Sequence, residues 1–151
     1  RFARLSTNLN GNEGAAVMTD QLWADECEAV CKRYETGEIS GLDAADLLAA
    51  DGINCRVLNA ASLKPADEEA IVAAAHETGA IVTAEDHQIH GGLGSIVAQT
   101  VASHRPVPIA FAGMDDRYGT SGRWGELLEH FHLTPKAIAE MARGVLARKS
   151  A

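Results

Sequence analysis

The stretch Gly79 to Val97, read as GAIVTAEDHQIHGGLGSIV, limits the possible folds more than any other part of the chain. Ala80 to Ala84 form an apolar run of strand type, polar and charged residues follow, and glycines at 91, 92 and 94 lead directly into a helical pattern. That order is a buried strand, a turn and a helix start. In an open α/β sheet, ligands and partners meet the fold where a parallel strand ends and a helix begins. Glu85, Asp86, His87 and His90 are expected there.

The flanking segments repeat the same grammar. LDAADLLAADG places Leu42, Ala45, Leu48 and Ala49 on one helical face and stops at Gly52, a suitable C-cap. Ile53 to Leu58 alternate as a strand, with a turn at Ser62 to Pro65. Asp67 precedes EEAIVAAAHETG, where first-turn acids and Gly79 past the end suit the helix dipole and the cap. After the strand at Ala80 to Ala84 come a helix from about Gly94 to His104 and, beyond Pro106, a strand Val107 to Ala112. The resulting βαβαβ order predicts a three-layer α/β/α sandwich with a mostly parallel sheet and right-handed crossovers. The strands near 53–58, 80–84 and 107–112 are expected to be adjacent. Two further helices are expected, Arg123 to Phe131 and one opened by the Thr134–Pro135 cap to about Arg148. Leu127, Leu128, Phe131, Ile138, Met141 and Val145 should cover one sheet face.

Residues 1–27 carry Asn8, Asn10, Gly11, Asn12 and Gly14 in no period. They are expected to be a linker or the remnant of a preceding domain, detached from the core or ordered by another chain. The α/β domain is then 28–151, with a first strand within the weakly β-forming EAVCKRYET of residues 28–36.

With 151 residues, 46% of them hydrophobic, the chain has material for one domain with a real core. A net charge of −8 argues against nucleic acid or an anionic membrane surface as partner. No apolar run approaches the roughly 18 residues of a membrane span, and Cys27, Cys31 and Cys55 form no disulfide framework. A cytoplasmic protein is expected. The chain opens on Arg1, which suggests a piece of a longer polypeptide.

Three strings together carry a resemblance: GINCRVLNAASLKPAD, then TAEDH followed by HGGLG, then RYGTSG leading to a Leu-Leu helix. In this order and spacing, roughly residues 37 to 148 resemble the C-terminal domain of the transketolase family. That domain recurs in deoxyxylulose-phosphate synthase and in the β half of 2-oxoacid dehydrogenase E1 components, and the Glu85-Asp86-His87 string is most similar to transketolase. The first residues, RFARLST, resemble the close of the preceding pyrimidine-binding domain. The resemblance implies thiamine-diphosphate and magnesium-dependent transfer of a two-carbon ketol unit between sugar phosphates, as in the pentose phosphate pathway. It also implies a dimer, and partner domains or a subunit holding the cofactor. The Gly-Asp-Gly cofactor motif and the glutamate that activates the aminopyrimidine do not occur in these residues. No catalytic, cofactor-binding or metal-binding residue carries over, and the chain alone is expected to be inactive, supporting dimer assembly.

The glycine turn supports two readings. Backbone N–H groups at the start of the helix after Gly94 could hold a phosphate or carboxylate; alternatively the glycines permit close packing against the sheet or a neighbouring subunit. The missing P-loop lysine weighs toward packing. Glu85, Asp86, His87, Gly91, Gly92 and Gly94 are accordingly the candidate interface residues, with a self-association surface expected. His87 and His90 in an H-x-x-H loop fall short of a metal site. Cys27 and Cys31 read as incidental thiols. Asp115, Asp116 and Arg117 could pair with a partner or simply be solvated, and Trp124 is expected to pack. A stand-alone module binding a small anion or a protein is the competing class, and an E1 β subunit would instead predict a lipoyl-carrying partner.

Overall fold

A computed structural model describes residues 14–19 and 41–149. The described elements, in chain order, are β1 (Gly14–Thr19), α1 (Gly41–Ala50), β2 (Asn54–Asn59), α2 (Glu68–Thr78), β3 (Ile81–Gln88), α3 (Leu93–His104), β4 (Ile109–Met114), α4 (Trp124–His130) and α5 (Pro135–Lys149). The strands form one parallel sheet in the order β2-β1-β3-β4.

Local chemistry sets the element ends. Gly52, at φ 78°, closes α1 with Ile53 N–H donating to Leu48 O and Gly52 N–H to Ala49 O, a Schellman pair. Asp67 accepts from Ala70 N–H at 3.0 Å to open α2, and Gly79, at φ 67°, closes it. Thr134 Oγ1 accepts from Ala137 N–H at 3.3 Å ahead of Pro135, which starts α5.

The two sheet faces bury separate cores. On one, Ala44 and Leu48 of α1, Leu128 of α4, and Ile138, Ala142 and Val145 of α5 pack on Val82, Ala84 and Ala112. On the other, Ile71, Ala74 and Ala75 of α2 meet Leu93, Val97 and Val101 of α3 over Ile81. The alternation along β3 explains the division, since successive side chains point to opposite faces. Leu128, Ile138 and Val145 belong to the first core and Phe131 and Met141 pack against it, as expected, whereas Leu127 is not among its residues. The face of α1 is rotated: Gly41, Ala44 and Leu48 are its buried residues, while Leu42 is 41% exposed.

One expectation fails at the amino end. Residues 14–19, read as part of a linker, form an interior strand, pairing with β2 through Gly14–Asn54 to Thr19–Asn59 and with β3 through Ala16–Ile81 to Thr19–Ala84. GAAVMT is a six-residue apolar run whose flanking Asn and Gly residues hid its strand character. The adjacency expectation changes with it: β3 and β4 are neighbours, but β1 lies between β2 and β3. The strand expected within 28–36, and Cys27 and Cys31, lie outside the described residues. Because β1 is bonded on both sides, the amides of Ala16, Val17 and Met18 should exchange with solvent as slowly as those of Ile81 and Val82. Hydrogen exchange at single-residue resolution checks this, and rapid exchange at Val17 would contradict it.

Candidate functional site

Strand β3 runs beyond its apolar core into Glu85, Asp86, His87 and Gln88. It therefore carries the charged residues to the end of the sheet where α3 begins. This end also holds the reversal of strand order, because β1 and β3 are neighbours while the helices α1 and α3 lie on opposite faces. Ligands of open α/β sheets gather at such reversals.

The carboxylate of Glu85 occupies the helix start. It is 2% exposed, and its Oε2 accepts from Leu93 N–H at 2.7 Å while Oε1 accepts from Gly94 N–H at 2.8 Å. Those donors are among the four that a helix leaves unpaired at its first turn, and the helix dipole adds to the attraction for a negative charge. The anion that the glycine turn was expected to invite from outside is thus supplied by the chain itself. The glycines make room for it. A Cβ on Gly92 would overlap Glu85 Oε2 and lie 2.9 Å from its Cδ; one on Gly94 would stand 2.7 Å from Phe111 Cδ1 and 3.1 Å from Glu85 Oε1.

The rest of the turn is fastened to this core. Ser95 Oγ accepts from Gly91 N–H at 2.7 Å and donates to Ile89 O at 3.3 Å. Ile89 N–H donates to Met114 O at 3.0 Å, and Gln88 Nε2 donates to Arg117 O at 3.1 Å, so the β3–α3 turn is tied to the loop after β4. Gly113 completes the fit, since a Cβ there would lie 2.7 Å from Ile89 Cγ2 and 3.0 Å from His87 O.

The six candidate interface residues therefore divide. Asp86, His87 and Gly91 are exposed, as is His90. Glu85, Gly92 and Gly94 are buried and shape the turn from beneath. A bulky substitution at Gly92 would disturb the fold before it disturbed any contact, so it cannot probe association. His87 Nδ1 lies 4.0 Å from Glu85 Oε2, and its ring is 60% exposed. Ser95, Gln88 and Gly113 were not singled out in the sequence; the strand expected there ended at Ala112, and only its observed extension to Met114 places Gly113 inside a strand, where a glycine marks close backbone approach.

A cavity of about 450 Å³ opens between the end of β2, the loop that follows it, and the first turns of α2 and α3. Leu58, Leu63, Ala66, Ile71, Leu93 and Ile96 give it an apolar wall. Arg56 also lines it, with its guanidinium engaged by Glu77 at 2.6 Å. Among the described residues no group of three His, Cys, Asp or Glu side chains is gathered to hold a metal, and no helix is long and apolar enough to cross a membrane.

Comparison with known proteins identifies this architecture. The family described as "Transketolase, C-terminal domain" matches residues 40–138. A 6-deoxy-6-sulfo-D-fructose transketolase subunit from Clostridium sp. (strain MSTE9) is 44% identical over 107 residues, 71% of this chain and 33% of the relative. A 1-deoxy-D-xylulose-5-phosphate synthase from Heliobacterium modesticaldum is 39% identical over 102 residues, 67% of this chain and 16% of that enzyme. Among solved structures, a split gene transketolase described as an inactive β4 tetramer superposes with a TM-score of 0.75 at 34% identity, covering 99% of this chain and 43% of that one. The chain spans a third or less of the length of these two curated relatives. On the family match and the superposed fold together, the chain belongs to the transketolase family, and residues 40–138 are its C-terminal domain.

Proposed function

We propose that this chain is the carboxyl-terminal part of a cytoplasmic transketolase-type enzyme that transfers a two-carbon ketol unit between sugar phosphates, and that it contributes assembly instead of catalytic groups. The observation that carries the second half is the position of Glu85. Two N–H groups that could hold a phosphate at the strand-order reversal are already bonded to its carboxylate. An external anion would have to displace a buried, doubly bonded charge, which disfavours the reading as a stand-alone anion-binding module. Thiamine diphosphate and magnesium are then held by the remaining portion of the enzyme. The exposed residues Asp86, His87 and Gly91 serve contacts between chains.

Given thiamine diphosphate and magnesium, the chain alone is expected to show no ketol transfer. Adding the separately expressed amino-terminal portion of a transketolase encoded in the same genome should produce turnover with xylulose 5-phosphate as donor. Turnover by the chain alone, checked by intact mass for purity, would refute the assembly role. No turnover and no association on mixing would refute the proposed ketol-transfer role. The Heliobacterium relative supports a second reading, a deoxyxylulose-phosphate synthase. Assaying the same mixture for 1-deoxy-D-xylulose 5-phosphate separates the two.

A further inference from the structure

We propose that the cavity between β2, α2 and the start of α3 is a binding site for a monocarboxylate with an apolar body, its carboxylate held by Arg56. This is a ligand site in addition to the assembly role, and it does not depend on that role. The group that carries it is Arg56, which lines the cavity and is only 8% exposed. Its Nη1 donates to Glu77 Oε2 at 2.6 Å, and among the described residues its other N–H groups have no partner. Burying a guanidinium is favourable only when its donors are met. The edge formed by Nε and Nη2, which Glu77 leaves unused, is a two-pronged fork that matches the two oxygens of a carboxylate. The Glu77 side chain is 42% exposed, so a ligand competes for the arginine with a partly solvated carboxylate and not with a buried one.

The walls set the rest of the ligand. Leu58, Leu63, Ile71, Leu93 and Ile96 present an apolar surface, and a volume of about 450 Å³ is within the range of small-molecule sites. Leu63 is 36% exposed, an apolar side chain left partly in water that a bound hydrocarbon would cover. The loop beside it is fixed by the chain's own bonds: Ser62 Oγ donates to Pro65 O at 3.0 Å, and Asp67 caps α2 by accepting from Ala70 N–H at 3.0 Å. Such a site is largely formed before a ligand arrives, which limits the cost of binding. Asp67 and Glu69 also stand on the wall, and with Glu77 they disfavour a ligand of two or more negative charges. A sugar bisphosphate or a nucleotide is therefore a poor fit. A single carboxylate is tolerated, because the α2 N-terminus offsets the charge of Asp67 and Glu69 is exposed to water.

The test titrates the full, isotope-labelled chain with octanoate and follows the amide resonances. Saturable shifts are expected at Ala70, Leu93 and Ile96, with a melting temperature that rises as the ligand is added. Octanamide keeps the hydrocarbon and lacks the charge, and it should bind at least tenfold more weakly, about 1.4 kcal/mol. Octanoate should lose as much on Arg56→Met, which keeps the apolar stem and removes the fork. Glu77→Gln, a change outside the cavity wall, frees the guanidinium and should tighten octanoate severalfold. Ala73→Leu fills the space from α2 and should abolish binding with the circular dichroism spectrum unchanged. Absence of saturable shifts at millimolar octanoate would overturn the proposal, as would equal binding of octanamide, which would make the arginine irrelevant. Should Arg56→Met fail to fold, Glu77→Gln and Ala73→Leu decide, and unchanged affinity in either refutes the site. Displacement of octanoate by an equal concentration of xylulose 5-phosphate would reveal a sugar-phosphate site and refute it as well. Because binding is read without turnover, failure here leaves the ketol-transfer role to its own test.

Discussion

Gly92→Ala is expected to destabilise the fold by about 3 kcal/mol and to lower the melting temperature by roughly 10 °C. Gly92 has φ −95°, which any residue adopts, so the glycine is required for space and not for backbone freedom. The added methyl would sit on the carboxylate of Glu85, which cannot retreat while bonded to Leu93 N–H and Gly94 N–H. Hydrogen bonds to a charged acceptor contribute roughly 1.5–3 kcal/mol each, and the donors left behind would be buried. Glu85→Ala should cost a similar amount by the same route. The double substitution should cost little more than either, a coupling of about 2–3 kcal/mol, because both break one arrangement. Gly91→Ala is the control. Gly91 is exposed with nothing within 4 Å of its would-be Cβ, but has φ 81°, so it should lose only the left-handed penalty of roughly 1–2 kcal/mol. Urea unfolding of the four variants decides the matter: additive costs for Gly92→Ala and Glu85→Ala would show that the carboxylate and the glycine do not share a site.

The elements that residue chemistry could announce were legible in the sequence. Asp67, Gly52, Gly79 and the Thr134–Pro135 pair marked helix ends because capping is a local matter, settled within a few residues. The β3–turn–α3 unit was legible for the same reason. Glu85 was not, since its charge and its neighbours Asp86 and His87 suggested a surface. Only the return of the chain eight and nine residues later, bringing the donors of Leu93 and Gly94 onto it, makes burial of that carboxylate favourable. Strand β1 escaped for a different cause. Its position between β2 and β3 is a non-local fact, and the short GAAVMT run is flanked by residues that break any period.

The second large effect is expected at Ile138. Its side chain is 0% exposed in the core shared by α1, α5 and the inner face of β3 and β4. Truncating a buried isoleucine to alanine costs about 2–5 kcal/mol, the value depending on how far the surroundings collapse into the space left. Alanines are frequent in that core: Ala44, Ala84, Ala112, Ala139 and Ala142 all belong to it. An alanine has no rotamer through which to swing inward, and the sheet strands cannot approach α5 without breaking their own pairing. The cavity therefore stays open, and Ile138→Ala should fall in the upper half of the range, about 4 kcal/mol, with Ile138→Val near 1 kcal/mol. Leu47→Ala on α1 supplies the contrast, since Leu47 is 45% exposed and its loss should be within about 0.5 kcal/mol of neutral. The check is the midpoint of urea unfolding at constant slope. A loss below about 2 kcal/mol at Ile138 would mean that α5 settles onto the sheet, and that the alanine-rich core does not hold the helix off as the close packing here requires.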